Sequence, residues 1–171
     1  MARGPAYKTD EWMQAETQFR NLDNGGKIDD GILDLVVALN LIGIPTIGSC
    51  GGHFKPELEP NMLGYMKENG IPIPKNQGMT HYPYVEIDRD DALRLQALLE
   101  AFYARDVLAN NYELGTVMAG KGNMAILRNM NAPGYVFPLQ DPWLGDYQKE
   151  FGAFTSWLKR RWRQLRKGLQ E

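Results

Sequence analysis

One cysteine and two histidines in 171 residues leave few groups for covalent or metal chemistry. A single cysteine permits no internal disulfide, so a disulfide-framed secreted domain is excluded and a reducing cytoplasm is the expected location. Long hydrophobic runs are missing too. The longest, around Ile32–Ile44, is broken by Asp34, Asn40 and Gly43 and falls short of the roughly 18 residues that span a bilayer. No apolar stretch follows Met1-Ala2-Arg3-Gly4-Pro5, so no signal peptide is expected. The chain has no internal repeat and no low-complexity segment. With 43% hydrophobic and 23% charged residues it matches globular averages, which excludes disordered and fibrous classes.

Net charge is only −2, but it is unevenly spread. Residues 151–171 carry six basic groups (Lys159, Arg160, Arg161, Arg163, Arg166, Lys167) against Glu171 alone, leaving the first 150 residues at −7. A basic tail on an acidic body is not the pattern of a protein that binds nucleic acid over most of its surface.

The length predicts one domain over 1–171. Thr9-Asp10-Glu11 supplies a cap and two acids ahead of Trp12, Met13, Ala15 and Phe19, predicting a helix to about Leu22, with Asp23-Asn24-Gly25-Gly26 as the turn that ends it. Asp29-Asp30 precede Ile32, Leu35, Val36 and Leu39 at helical spacing, and Gly43 stops that second helix. Ile44–Cys50 reads as a strand entering a glycine-rich loop. Residues 54–80 hold Pro56, Pro60, Pro72 and Pro74 and read as a long loop or lid with one short helix near Leu58–Asn69. Tyr82–Asp88 alternates with period two and reads as a strand. Asp90-Asp91 caps a helix bearing Leu93, Leu95, Leu98, Leu99 and Phe102. Strands near Tyr112–Met118 and Met124–Asn129 follow, with Gly134–Leu139 as a further extended piece and a basic amphipathic helix at about 146–169. The expected fold is α+β: a mainly antiparallel sheet of about four strands packed by helices, in the order α-α-β-β-α-β-β-α.

The chemistry-bearing residues gather around Gly48-Ser49-Cys50-Gly51-Gly52-His53. If the first two strands pair antiparallel, Cys50, His53 and His81 come to one edge of the sheet. Thr46, Gly48 and Cys50 would then share one strand face, beside Tyr84, Glu86 and Asp88 on the next. Three chemistries fit. Glycine N–H groups could cradle an anion, with Thr46, Ser49, Gly51, Gly52, His53, His81, Tyr84 and Glu86 as ligand-binding residues. Cys50 could be a nucleophile activated by His53 or His81. Alternatively, Cys50, His53 and His81 could hold zinc, with Glu86 or Asp88 as a fourth ligand, although a lone cysteine is not the usual signature of a structural zinc site. A structural cysteine in a glycine turn is the bland alternative.

Gly115–Gly122 matches the spacing of a phosphate-binding loop through Lys121. Gly122 stands where the magnesium-binding hydroxyl belongs, and a strand rather than a helix follows, so a hairpin turn at Ala119–Asn123 is the better reading. On the last helix, Phe151, Phe154, Leu158, Trp162, Leu165 and Leu169 form one apolar stripe, with Trp157 on its flank. Packing through that stripe is the plain expectation. RNA binding through Arg160, Arg161, Arg163 and Arg166 is the functional one.

Thr46-Ile47-Gly48-Ser49-Cys50-Gly51-Gly52-His53 resembles the Thr-x-Ser-Ser-Cys-Ser-Gly-Arg signature of the wybutosine-synthesising tRNA methyltransferase family. Thr46, Ser49, Cys50 and Gly52 match in place; Gly48 and Gly51 replace serines and His53 replaces the arginine. The Ser-Cys-x-Gly-His form is also similar to that of small bacterial and phage proteins of no assigned function. The resemblance implies S-adenosylmethionine as cofactor and tRNA as partner. The residues themselves point first to a small nucleotide-like or phosphate-bearing ligand at Ser49–His53, bound or turned over, with a signal-sequestering role among the options. RNA binding or modification comes second, and an interaction protein without chemistry third.

Overall fold

The most apolar segment of the chain becomes its central helix. Asp30–Leu41 (α2) buries Ile32, Leu33, Leu35 and the whole run Val36–Leu39, and it packs on the first and last helices and on the first strand. The computed structural model describes residues 7–21, 28–58, 60–73, 78–104, 113–119, 122–133 and 141–168. Asp10–Arg20 (α1) starts where Thr9 Oγ1 accepts a hydrogen bond from the Trp12 N–H at 3.2 Å, relieving one of the unpaired donors of a first helical turn. Gly43, at φ 76°, ends α2 in the left-handed conformation that glycine adopts without strain. The guanidinium of Arg94 then donates to the carbonyls of Gly43 (2.8 Å) and Ile42 (3.1 Å), placing a cation at the negative end of the helix.

The strands are Thr46–Cys50 (β1), His53–Lys55 (β2), Met79–His81 (β3), Tyr84–Asp88 (β4), Leu114–Met118 (β5) and Met124–Asn129 (β6). Four of them form an antiparallel sheet in the order β1-β4-β6-β5, while β2 and β3 form a separate antiparallel pair. Helices Pro60–Glu68 (α3), Ala92–Tyr103 (α4) and Leu144–Lys167 (α5) complete the described elements. This is the expected α+β fold in the expected order; within residues 53–81 it contains the expected short helix as α3 and two short strands, β2 and β3, that were not expected. That segment is therefore not irregular: Leu58, Met66 and Met79 form a small core of their own.

The main core lies between one face of the four-stranded sheet and the helices. Val85, Ile87, Ala125 and Leu127 pack in one cluster with Leu95, Leu99, Phe102, Phe151, Phe154, Trp157 and Leu158, and each Val, Leu, Ile or Phe side chain removed from water contributes about 1.5–3 kcal/mol. The stripe on α5 packs as expected, but Trp157 is only 2% exposed. It belongs to the buried face because Phe102 and Phe154 lie within 6.1 Å of its ring. Polar groups also cross this core. The Leu114 N–H donates to the Tyr103 hydroxyl (2.7 Å), which donates to the Glu150 carboxylate (2.8 Å). Burial pushes both Tyr103 and Glu150 upward from their ordinary pKa values. No helix among the described residues is long and apolar enough to cross a membrane. The turn at residues 23–26, the extended piece Gly134–Leu139, the end of the last helix at Leu169, and Lys121 in the hairpin turn lie outside the described residues.

Candidate functional site

The sequence left the pairing of the first two main strands open, and the structure makes it antiparallel. Cys50 sits opposite Tyr84 and Gly48 opposite Glu86. Beyond Cys50 the chain turns through Gly51 and Gly52 and leaves the main sheet. Gly52 has φ 77°, and a β-carbon there would meet the Pro83 ring at 2.7 Å, so the turn needs glycine twice over. The chain re-enters extended structure as β2, whose register places His53 opposite His81. The two imidazoles stack, with centroids 4.6 Å apart and planes 17° from parallel. Cys50, His53 and His81 thus share the end of β1.

Asp29 is a further member that the sequence reading did not include. It stands at the N-cap of α2 yet makes no side-chain cap bond there. Its carboxylate turns instead to the loop and accepts the Gly51 N–H at 2.9 Å. Asp29 Oδ2 lies 3.9 Å from His53 Nδ1, and His53 Nδ1 lies 3.7 Å from Cys50 Sγ. The donor atoms of Asp29, Cys50 and His53 all lie within 4.8 Å of one another. His81, the third ligand expected from sequence, covers the face of the His53 ring instead. The signal for Asp29 was geometric: α2 climbs about 18 Å, and the return through β1 covers a similar length. The start of the helix therefore comes to lie beside the end of the strand.

The loop's N–H groups have partners within the protein. Gly51 donates to Asp29 and Gly52 donates to Cys50 Sγ at 3.4 Å. A carboxylate thus takes the place that an external anion would have occupied. On the far side, Gln148 Nε2 of α5 donates to the carbonyls of Gly51 (3.1 Å) and Gly52 (2.8 Å), fixing the loop to the helical layer. Behind Gly51 opens a cleft of about 450 Å3 lined by Gly31, Ile32, Gly145, Gln148, Lys149 and Phe151. Cys50 is 9% exposed, whereas the side chains of His53 and Asp29 are 41% and 48% exposed. The thiol therefore forms the floor and the other two groups form the rim.

Burial pushes the Cys50 thiol above its usual pKa, opposed by the Gly52 N–H and reinforced by the negative charge of Asp29. Attack needs thiolate, so this environment disfavours a free nucleophile. A metal cation reverses the balance by taking the proton's place, as thiolate ligands require.

The remaining ligand-binding residues divide. A bulge between Thr46 and Gly48 brings Thr46 into register with Ile87, so Thr46 joins the core side and does not share the face of Gly48 and Cys50. Asn40 holds it there, with Asn40 Nδ2 donating to Thr46 Oγ1 at 2.9 Å. Ser49 pairs with Val85, also opposite the face of Cys50. Tyr84, half-buried, registers with Cys50 on one side and Arg128 on the other. Burial raises its pKa first, and the charges of Glu86, Cys50 and Asp29 add to the shift. The Glu86 carboxylate lies over Gly48, where a β-carbon would meet it at 2.5 Å.

The basic residues of α5 are also divided. Lys159 pairs with Asp34 and lies 4.1 Å above the Tyr7 ring, and Arg166 pairs with Glu11. Arg161, half-buried, lies 5.0 Å from the Trp157 ring. Arg163 is exposed but lies 5.6 Å from the Trp162 ring, and Arg160 is exposed.

Comparison with protein-family models, with curated proteins and with solved structures finds no match.

Proposed function

We propose that the protein holds a divalent metal ion of the zinc type between Asp29, Cys50 and His53, and that the ion's open position takes a small anionic ligand. The observation that carries this reading is the convergence of a carboxylate, a thiol and an imidazole within 4.8 Å. With ordinary zinc bond lengths, the edges of a coordination tetrahedron are about 3.4–3.6 Å. The separations of 3.7 Å and 3.9 Å already found are within a small side-chain adjustment of that. Three protein ligands leave one place for water or a ligand, the pattern of sites that act on something rather than of closed structural sites. The metal also changes how a phosphate-bearing or nucleotide-like ligand would bind: through the cation, because the loop's own N–H groups are engaged.

Cobalt titration tests this directly, because thiolate ligation gives an intense near-ultraviolet band. The full chain should take up one cobalt per molecule and release it to zinc. Cys50→Ser, His53→Ala and Asp29→Ala should each weaken binding at least tenfold, while His81→Ala should keep the thiolate band. A folded protein that takes up no metal, or a Cys50→Ser variant that binds as tightly as the parent, overturns the reading.

A further inference from the structure

The solvent side of α5 is organised differently from its buried side. Lys149, Gly152, Ser156, Arg160, Arg163 and Lys167 succeed one another at steps of three and four residues, and all are exposed. That spacing makes one straight strip along a helix, about 27 Å long. Its middle is flat because glycine and serine occupy it, and its C-terminal half is basic. Among the described residues Arg160 has no ion-pair partner. Beside it lies a groove of about 520 Å3 lined by Tyr7, Lys159, Arg160, Trp162, Arg163 and Gln164, a size that accepts one nucleotide. The rest of the chain is acidic, since residues 1–150 sum to −7, so a polyanion is repelled elsewhere and drawn to this face.

We propose that this strip binds the phosphate backbone of single-stranded RNA, without sequence preference, through Arg160, Arg163 and Lys167. From Arg160 to Lys167 the helix rises about 10.5 Å, so the three cations lie along one line that a single-stranded backbone can follow. An anionic membrane fits less well. Phe154, Leu158 and Trp162, the apolar face that would enter a bilayer, are 0%, 0% and 3% exposed within the core, and membrane-surface helices need that face free. The strip shares no residue with Asp29, Cys50 and His53, so it stands or falls independently of the metal.

Fluorescence anisotropy of the full chain with a labelled single-stranded RNA reads this out. Three phosphate contacts predict a salt slope of about −2, or about a twentyfold loss of affinity between 50 and 200 mM salt. Arg160→Ala/Arg163→Ala/Lys167→Ala should lose at least tenfold with an unchanged melting temperature, Arg160→Lys/Arg163→Lys should retain most of the affinity, and Cys50→Ser should bind RNA like the parent. Absence of RNA binding at low salt, or a triple variant that binds as well as the parent, overturns the proposal. So does polyglutamate of matched charge binding more tightly than RNA, which would mark an acidic protein as the partner. Tighter binding to vesicles of anionic lipid would overturn it in favour of a membrane surface.

Discussion

The four-stranded sheet with its helices and the β2–α3–β3 excursion are held together by very different amounts of buried surface. The first rests on more than twenty buried apolar side chains in one continuous cluster, the second on Leu58, Met66 and Met79. The Asp29–Cys50–His53 group straddles the two. Cys50 and Asp29 are fixed by β1 and α2 of the large core, whereas His53 is carried by the first residue of β2. Two of the proposed ligands are thus rigidly placed, and the third sits on an element with little burial to hold it, the kind of segment that opens locally well below the global unfolding energy.

The largest effect should come from the main core. Phe154→Ala removes a fully buried ring in contact with Phe102 and Trp157 and should cost about 3–5 kcal/mol, read as a lower denaturant midpoint for the whole molecule. Next is metal, which should stabilise by about 2.7 kcal/mol at a hundredfold excess over its dissociation constant. Most of that gain should appear as hydrogen-exchange protection in β2 and β3. Equal protection everywhere would mean that the two regions already open as one unit. Met66→Ala should cost about 2 kcal/mol but spend it locally, exposing the amides of Phe54 and Thr80 while those of Leu127 and Val85 stay protected. A global loss like that of Phe154→Ala would break the comparison.

The smallest effect lies inside the large core. Burial raises the Glu150 carboxyl above its ordinary pKa of 4.5, so the folded state binds the proton more tightly than the unfolded one. Its stability cost is absent below pH 4.5 and grows as pH rises through the raised value. Glu150→Gln keeps an acceptor for Tyr103 and should raise the melting temperature by a few degrees at neutral pH. That advantage should shrink in scans run below pH 4.5, and a gain that is the same at both pH values would exclude the carboxyl as its source.

The parts of this arrangement that could be read from sequence are those written in periodicity. Tyr84–Asp88 alternates cleanly, and β1 was recognisable from the glycine loop that follows it, but Cys50, His53 and His81 came to one edge only on the condition that the two strands pair antiparallel, which the sequence left open and the fold decides. The stripe on α5 was equally plain. The bulge after Thr46 was not, because one inserted residue reverses which face every earlier side chain occupies, and nothing in Thr46-Ile47-Gly48 marks it. Strands β2 and β3, three residues each, are too short to show a period of two. Asp29 looked like an ordinary helix cap because its true partner, the Gly51 N–H, is 22 residues away. The arginines of α5 read as one basic group. Only the fold separates Arg166, bound to Glu11, from Arg160, which faces solvent.

The packing of α2 against α5 also has a consequence in time. More than a hundred residues separate the end of α2 at Leu41 from the start of α5 at Leu144, and translation at about 5–20 residues per second takes about 5–20 s to cross that interval. Throughout it the nascent chain carries an oily helix that has α1 and β1 beside it but lacks α5, another of its permanent neighbours. A ribosome-bound chain halted before Leu144 should therefore be a chaperone client, and the same chain extended through Lys167 should release itself.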